Sequence, residues 1–134
     1  MSAWNSPGAA VLLAVTVGLG TAGCSSSAQE GNVRRATAAF FAAVSAHHDD
    51  RACAALAPQA AQGLATSDSG CAEQIGKLKL AGGTIRAVRV WGERAQVVLS
   101  GDTVFLTRLR EGWKVTAAGC RRQAKGPYDC DVEA

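Results

Sequence analysis

Five cysteines are the residues of this 134-residue chain most able to do chemistry. They are Cys24, Cys53, Cys71, Cys120 and Cys130. A thiol can form a disulfide, ligate a metal ion or carry a covalent modification. A zinc site would have to combine His47 or His48 with Cys53 and Cys71, but this spacing contains no tight C-x-x-C or H-x-x-x-H pair. The sequence therefore predicts no metal site and no cofactor.

Residues 1–23 have the properties of a cleaved export signal. They contain no charged side chain, and residues 9–19 form an apolar run the size of a signal-peptide core. That run is shorter than the roughly 20 apolar residues of a membrane span. Small residues then lead to Cys24, and the pattern resembles a bacterial lipobox, although Thr21 stands where the motif prefers leucine. An ordinary secretory signal or an uncleaved anchor is the alternative interpretation.

The lipobox resemblance implies that Cys24 carries acyl chains such as palmitate. Each buried methylene contributes about 0.8 kcal/mol, so two or more chains give stable anchoring. Residues 24–31 are small and polar, and we expect them to form a flexible tether. The sequence thus predicts a lipid-anchored protein on the extracytoplasmic face of the cell membrane, with membrane lipid as a partner.

Acylation of Cys24 would leave four cysteines, an even number suited to two disulfides in an oxidising compartment. Four cysteines permit three pairings. We expect Cys53–Cys71 and Cys120–Cys130, because the members of each pair are near in sequence and the two pairs lie in segments of different type.

Residues 32–134 are predicted to form a single α+β domain, in which helices pack on one face of a sheet and a disulfide closes the C-terminal tail. Apolar residues with helical spacing occupy residues 32–46, and shorter helices are expected from Arg51 and over residues 71–80. Pro58 either ends the helix from Arg51 or opens a new helical turn that runs to Leu64. Asp49 or Asp50 is the expected cap of the helix from Arg51. After Gly82 and Gly83 the apolar period changes to two.

This change of period predicts a four-stranded antiparallel meander. The strands cover residues 84–91, 94–100, 103–110 and 113–118, and short turns containing glycine join them. The residues expected to face inward on the second and fourth strands are Ala95, Val97, Leu99, Trp113, Val115 and Ala117. If Phe40, Trp91, Phe105 and Trp113 fill the space between helix and sheet, the domain has no cavity.

Several segments of this arrangement carry a family resemblance. They are the helix of residues 33–46, the acidic break at 48–50, the run at 52–58, the turn at 110–115 and the tail at 118–130. The arrangement resembles the NTF2-like (cystatin-like) superfamily over residues 32–119, and in particular the small actinobacterial lipoproteins with that fold. The resemblance implies a cavity between helix and sheet, used by some members as isomerases or dehydratases, and it implies homodimers formed through the sheet.

Candidate catalytic residues are few. Glu93, Asp102 and Glu111 all fall in predicted turns, so the strands offer no acid–base pair facing one pocket. The remaining candidate cluster is His47, His48 and Asp50 together with the neighbouring Asp49. A histidine beside an aspartate can act as a base, but helix termini also favour these residue types, and that structural role is the preferred interpretation.

A net charge of +3 is too small to indicate nucleic-acid binding. Most basic residues of the C-terminal half lie on predicted strands or in the tail: Arg86, Arg89, Arg94, Arg108, Arg110, Arg121, Arg122 and Lys125. They form either a solvated sheet face or a surface for anionic lipid headgroups or wall polymers.

The function expected from the sequence is that of a non-enzymatic binding or accessory module of the cell envelope. Its partner would be an envelope protein or a small apolar ligand. The alternative is a small cavity enzyme of the SnoaL-like isomerase or dehydratase type, which would need ionisable side chains lining the cavity.

Overall fold

The structure is a computed structural model that describes Gly8 and residues 23–134. Apart from Gly8 and Gly23, the predicted signal peptide lies outside the described residues, as does the side chain of Cys24. The helices are α1 (Gly23–Ser45), α2 (Asp49–Ala54), α3 (Pro58–Leu64) and α4 (Cys71–Ile75). The strands are β1 (Ile85–Trp91), β2 (Arg94–Leu99), β3 (Thr103–Leu109), β4 (Gly112–Arg121) and β5 (Asp129–Glu133). The predicted α+β class is confirmed.

Helix α1 begins at Gly23, so the segment 24–31, predicted as a tether, is helical. One of its side chains takes part in the fold: the indole Nε1 of Trp113 donates a hydrogen bond of 2.9 Å to the side-chain oxygen of Gln29. Further along, Val33, Thr37 and Phe40 are fully buried at the predicted helical spacing. The Thr37 hydroxyl donates to the Val33 carbonyl, so its burial leaves no unpaired polar atom.

Two of the three short helices begin or end differently from the prediction. Helix α2 starts at Asp49, so Asp49 and Asp50 lie in its first turn, where the helix dipole favours acidic side chains, and neither is the cap. Pro58 opens α3, which is the second of its two predicted roles, because proline suits the first helical turn. Helix α4 ends at Ile75 instead of Leu80, and the chain continues in a tight turn in which the Leu78 amide donates to the Ile75 carbonyl.

The sheet is an antiparallel meander in the order β1-β2-β3-β4-β5. The predicted count of four strands is therefore too low, because β5 pairs with the second half of β4. Strand β5 contains one fully buried residue, Val132, which lies opposite the buried Ala118. A strand with a single inward apolar side chain gives little alternation to read from the sequence.

The in–out alternation of β4 shifts by one residue halfway along the strand. Leu106 of β3 pairs with Val115, but the adjacent Phe105 pairs with Ala117, which leaves Thr116 as an extra residue. This bulge reverses the in–out alternation. The buried residue beyond it is Ala118, and the prediction that Ala117 faces inward is wrong. The predicted inward face of β2 is confirmed, since Ala95, Val97 and Leu99 are all buried.

The chain between α2 and α3 joins the helical layer to the sheet. Leu56 forms a parallel bridge with Val115. The Val115 amide donates to the Ala55 carbonyl at 3.0 Å, and the Ala57 amide donates to the Val115 carbonyl at 2.8 Å. This segment covers the first half of β4 on the side where β5 covers the second half, so β4 has neighbours along both edges.

The space between α1 and the sheet is filled mainly by aliphatic residues. The largest fully buried side chains are Phe40, Leu106, Val33, Val97, Val104, Val115, Val132 and Thr37. Of the four aromatic residues expected there, Phe40 and Trp113 are buried. Trp91 is 52% exposed, and the ring of Phe105 lies edge-on to Tyr128 with its centroid 5.2 Å away. The aromatic residues therefore divide between the core and the surface.

Candidate functional site

Four cysteines form two disulfides, with the predicted pairing. Cys53–Cys71 joins α2 to α4, and Cys120–Cys130 joins opposite residues of β4 and β5. The first bridge holds the five-residue helix α4 against α2. A helix of that length is unstable alone, so the bridge has a structural role. Cys24 is the one cysteine of the chain that neither bridge uses.

The predicted cluster of His47, His48 and Asp50 lies together in an open surface depression of about 320 Å³. All three side chains are exposed. His48 is 3.5 Å from a guanidinium nitrogen of Arg51, and no histidine–carboxylate hydrogen bond occurs among the described residues. His47 has a positive φ of 55° and reverses the chain between α1 and α2. The arrangement supports a role in the turn and gives no oriented acid–base pair.

Asp102 was predicted to lie in a turn, and the structure shows that its carboxylate is also buried. Its carboxylate accepts hydrogen bonds from the amides of Thr103, Gly119 and Cys120, the latter two at 3.0 Å. Burial raises the pKa of Asp102 above its usual 3.8, the charge of Asp131 adds to this, and the three amide hydrogen bonds partly oppose it. This carboxylate holds the β2–β3 turn to β4, which is a structural task.

Arg121 lies near Asp102 and pairs with two aspartates of β5. Its guanidinium contacts Asp129 at 3.2 Å and Asp131 at 3.1 Å. These carboxylates raise the pKa of Arg121. The pairs are largely exposed, so we assign them little stability. The depression beside them measures about 170 Å³, and no cluster of three or more metal-ligating side chains occurs in the described part of the chain.

A polar groove of about 580 Å³ crosses the outer face of the sheet. Its charged side chains are Arg94 on β2 and Glu133 on β5, with Thr107 and Thr116 between them. The hydroxyl of Thr107 donates to the Glu93 carbonyl, and that of Thr116 to the Phe105 carbonyl. The groove is open to solvent, and it has the character of a surface for a polar partner.

One end of the sheet combines cationic side chains with an exposed tryptophan. We call it the basic end and define it by Arg89, Trp91, Arg94, Arg108 and Arg110. The β1–β2 and β3–β4 turns meet there, because alternate turns of a meander lie at the same end. The Arg108 amide donates to the carbonyl of Glu93 at 2.8 Å, which fixes the two turns side by side. All five defining residues are exposed.

The N-terminal half of α1 lies against this same end. A hollow of about 670 Å³ separates Gln29 and Asn32 from Arg108 and Arg110. The other half of α1 lies at the opposite end of the sheet, where Phe41 packs against Gly82, the glycine just before β1. Helix α1 therefore runs away from the basic end, and its first turn is on the side of the arginines.

Searches of family models, of curated proteins and of solved structures found no match to this chain. The fold and the site define an α+β domain with a five-stranded meander, two disulfides and a basic end beside the start of α1. Within the described residues, no helix has the length and apolar character needed to span a bilayer.

Proposed function

We propose that the protein is a membrane-anchored extracytoplasmic lipoprotein that acts as a non-enzymatic binding or accessory module of the cell envelope. Acyl chains on Cys24 would fix it to membrane lipid, and the folded domain would present its surface to an envelope protein. Residues 1–23 would be removed as a lipoprotein signal peptide.

The observation that carries this proposal is the use of the cysteines. Two disulfides consume four of the five thiols and leave Cys24, which four small residues separate from the apolar run of residues 9–19. Stable structural disulfides are typical of exported proteins and rare in the cytosol. A disulfide framework and a lone cysteine behind a signal-like segment both favour export followed by acylation.

A surface-binding role fits the packing better than storage of a small apolar ligand. The interior between α1 and the sheet is occupied by Phe40, Leu106 and the buried valines, whereas the groove across the outer face is open and polar. We propose the NTF2-like family for this domain in a form whose interior is closed. The sheet homodimer that this family resemblance implies is part of the same proposal.

The alternative, a cavity enzyme, would need ionisable groups facing an interior pocket. Among the described residues, Thr37 and Asp102 are the buried polar ones. Thr37 donates to the carbonyl of Val33, and Asp102 accepts three backbone amides. Their hydrogen bonds are committed to the fold, which favours the binding module.

The proposal is tested by metabolic labelling with a clickable fatty acid. We expect the wild type and Ser27→Ala, a control variant three residues away, to be labelled, and Cys24→Ala to lose the label. Equal labelling of Cys24→Ala and wild type contradicts acylation at this cysteine. Retention of the four disulfide cysteines as free thiols in the same preparation contradicts export.

A further inference from the structure

We propose that the basic end is a second membrane contact, which takes the headgroups of anionic phospholipids in the bilayer to which the chain is anchored. The proposal rests on the proposed function for the identity of that bilayer. It gives a binding role to the side chains of Trp91 and the surrounding arginines, which make no ion pair or side-chain hydrogen bond within the described structure.

The position of the anchor brings the basic end near the membrane. Gln29 is bonded to Trp113 near the basic end, and Cys24 precedes Gln29 by five residues of α1. At 1.5 Å per helical residue, the Cys24 backbone lies about 8 Å along the axis from Gln29. With residues 24–31 helical, an acylated Cys24 keeps this end of the domain near the headgroups. An uncleaved leader would enter at the same place, because it joins the chain at Gly23.

The basic end also carries an excess of positive charge. Arg89, Arg94, Arg108 and Arg110 have no ion pair or side-chain hydrogen bond in the described structure. They outnumber the two carboxylates of the adjoining turns, Glu93 and Glu111. At the other end of the sheet, by contrast, Arg121 is occupied by Asp129 and Asp131. Unpaired arginines held at a bilayer surface are attracted to anionic headgroups.

Trp91 gives the basic end an accessible aromatic ring. It is 52% exposed and is the one large hydrophobic side chain of the described residues with such exposure. It ends β1 directly opposite Arg94. Tryptophan prefers the boundary between water and hydrocarbon, where its ring is buried and its N–H stays hydrated. A tryptophan flanked by arginines matches the polarity profile of that boundary.

The test reconstitutes the full chain, as isolated from membranes, into phosphatidylcholine vesicles with or without phosphatidylglycerol. Brominated acyl chains quench tryptophan at the interface, and the difference between wild type and Trp91→Phe isolates the Trp91 signal. We expect strong quenching on anionic vesicles and weak quenching on neutral ones. Each arginine near an anionic surface contributes a factor of about five to contact, so Arg108→Gln/Arg110→Gln should reduce the ratio of docked to free domain about 25-fold.

The matched control is Arg86→Gln/Lys125→Gln, which removes the same charge far from the basic end. Arg86 lies at the start of β1 and Lys125 in the β4–β5 loop, and both are exposed. Retained quenching in this variant supports the proposal. Equal quenching on neutral and anionic vesicles, or equal loss in both double variants, overturns it. If an envelope protein shields Trp91 and brominated lipid does not quench it, the proposal is also overturned.

Flotation of the wild type with neutral vesicles in 1 M salt separates this proposal from the anchor itself. An acyl anchor resists salt, because its attachment is hydrophobic, whereas headgroup contact is screened. If the protein fails to float but Trp91 is still quenched on anionic vesicles, the acyl anchor is contradicted and the contact at the basic end is supported. If the protein floats but Trp91 is not quenched on anionic vesicles, the contact at the basic end is contradicted and the acyl anchor is supported.

Discussion

Removing the Cys53–Cys71 bridge is expected to loosen α4 before the rest of the domain. The bridge spans 18 residues and Cys120–Cys130 spans 10. In the chain-entropy model, closing loops of this size stabilises the folded state by about 3 kcal/mol each. The local effects differ, because α4 has five residues and buries only Ile75, whereas β5 is also held by its ladder with β4.

We therefore expect both Cys53→Ala/Cys71→Ala and Cys120→Ala/Cys130→Ala to lose about 3 kcal/mol in urea unfolding. Hydrogen exchange should distinguish them. The first variant should lose protection over residues 66–83 under native conditions, and the second should lose it mainly near residues 122–133. Each double variant serves as the control for the other. Loss below about 0.5 kcal/mol in both, or unchanged exchange in α4, would refute the structural role given to the bridges.

Three further predictions follow from individual contacts. Phe40→Ala should cost about 3–5 kcal/mol because it empties a fully buried site, whereas Trp91→Ala, at the exposed aromatic, should cost less than about 0.5 kcal/mol. Gln29→Ala should cost about 1–2 kcal/mol by leaving the Trp113 indole N–H unpaired, and Gln29→Glu, which keeps an acceptor, should recover most of this loss. Asp102 has a raised pKa in the folded state, so wild type binds its proton more tightly than the unfolded chain does. The stability of the wild type relative to Asp102→Asn should therefore be greatest below pH 3.8 and should fall as the pH rises through the folded-state pKa. Urea unfolding across that window measures this stability difference. A difference that rises with pH would contradict the predicted sign.

The sequence was sufficient to predict those elements whose apolar period is strong. The spacing of Val33, Thr37 and Phe40 predicts α1, and the alternation of Ala95, Val97 and Leu99 predicts β2 and its inward face. The disulfide pairing followed from proximity in the chain. These features depend on local sequence, so local reasoning recovers them.

Features that depend on tertiary contacts were not predicted. The helical state of residues 24–31 involves a bond between Gln29 and Trp113, which are distant in sequence. The bulge at Thr116 is a property of strand pairing, and nothing in the sequence marks it. Asp102 in a turn looks like an ordinary turn residue, although its carboxylate binds amides of β4. The basic end likewise exists only once the two turns meet.

We propose that the protein works outside the cytosol and is held to the membrane through Cys24. The most direct test is the intact mass of the protein purified from native membranes, measured with and without reduction. We expect a chain that begins at an acylated Cys24 and gains four mass units on reduction, one hydrogen for each sulfur of the two disulfides. A chain that retains Met1 and shows no mass change on reduction would contradict it.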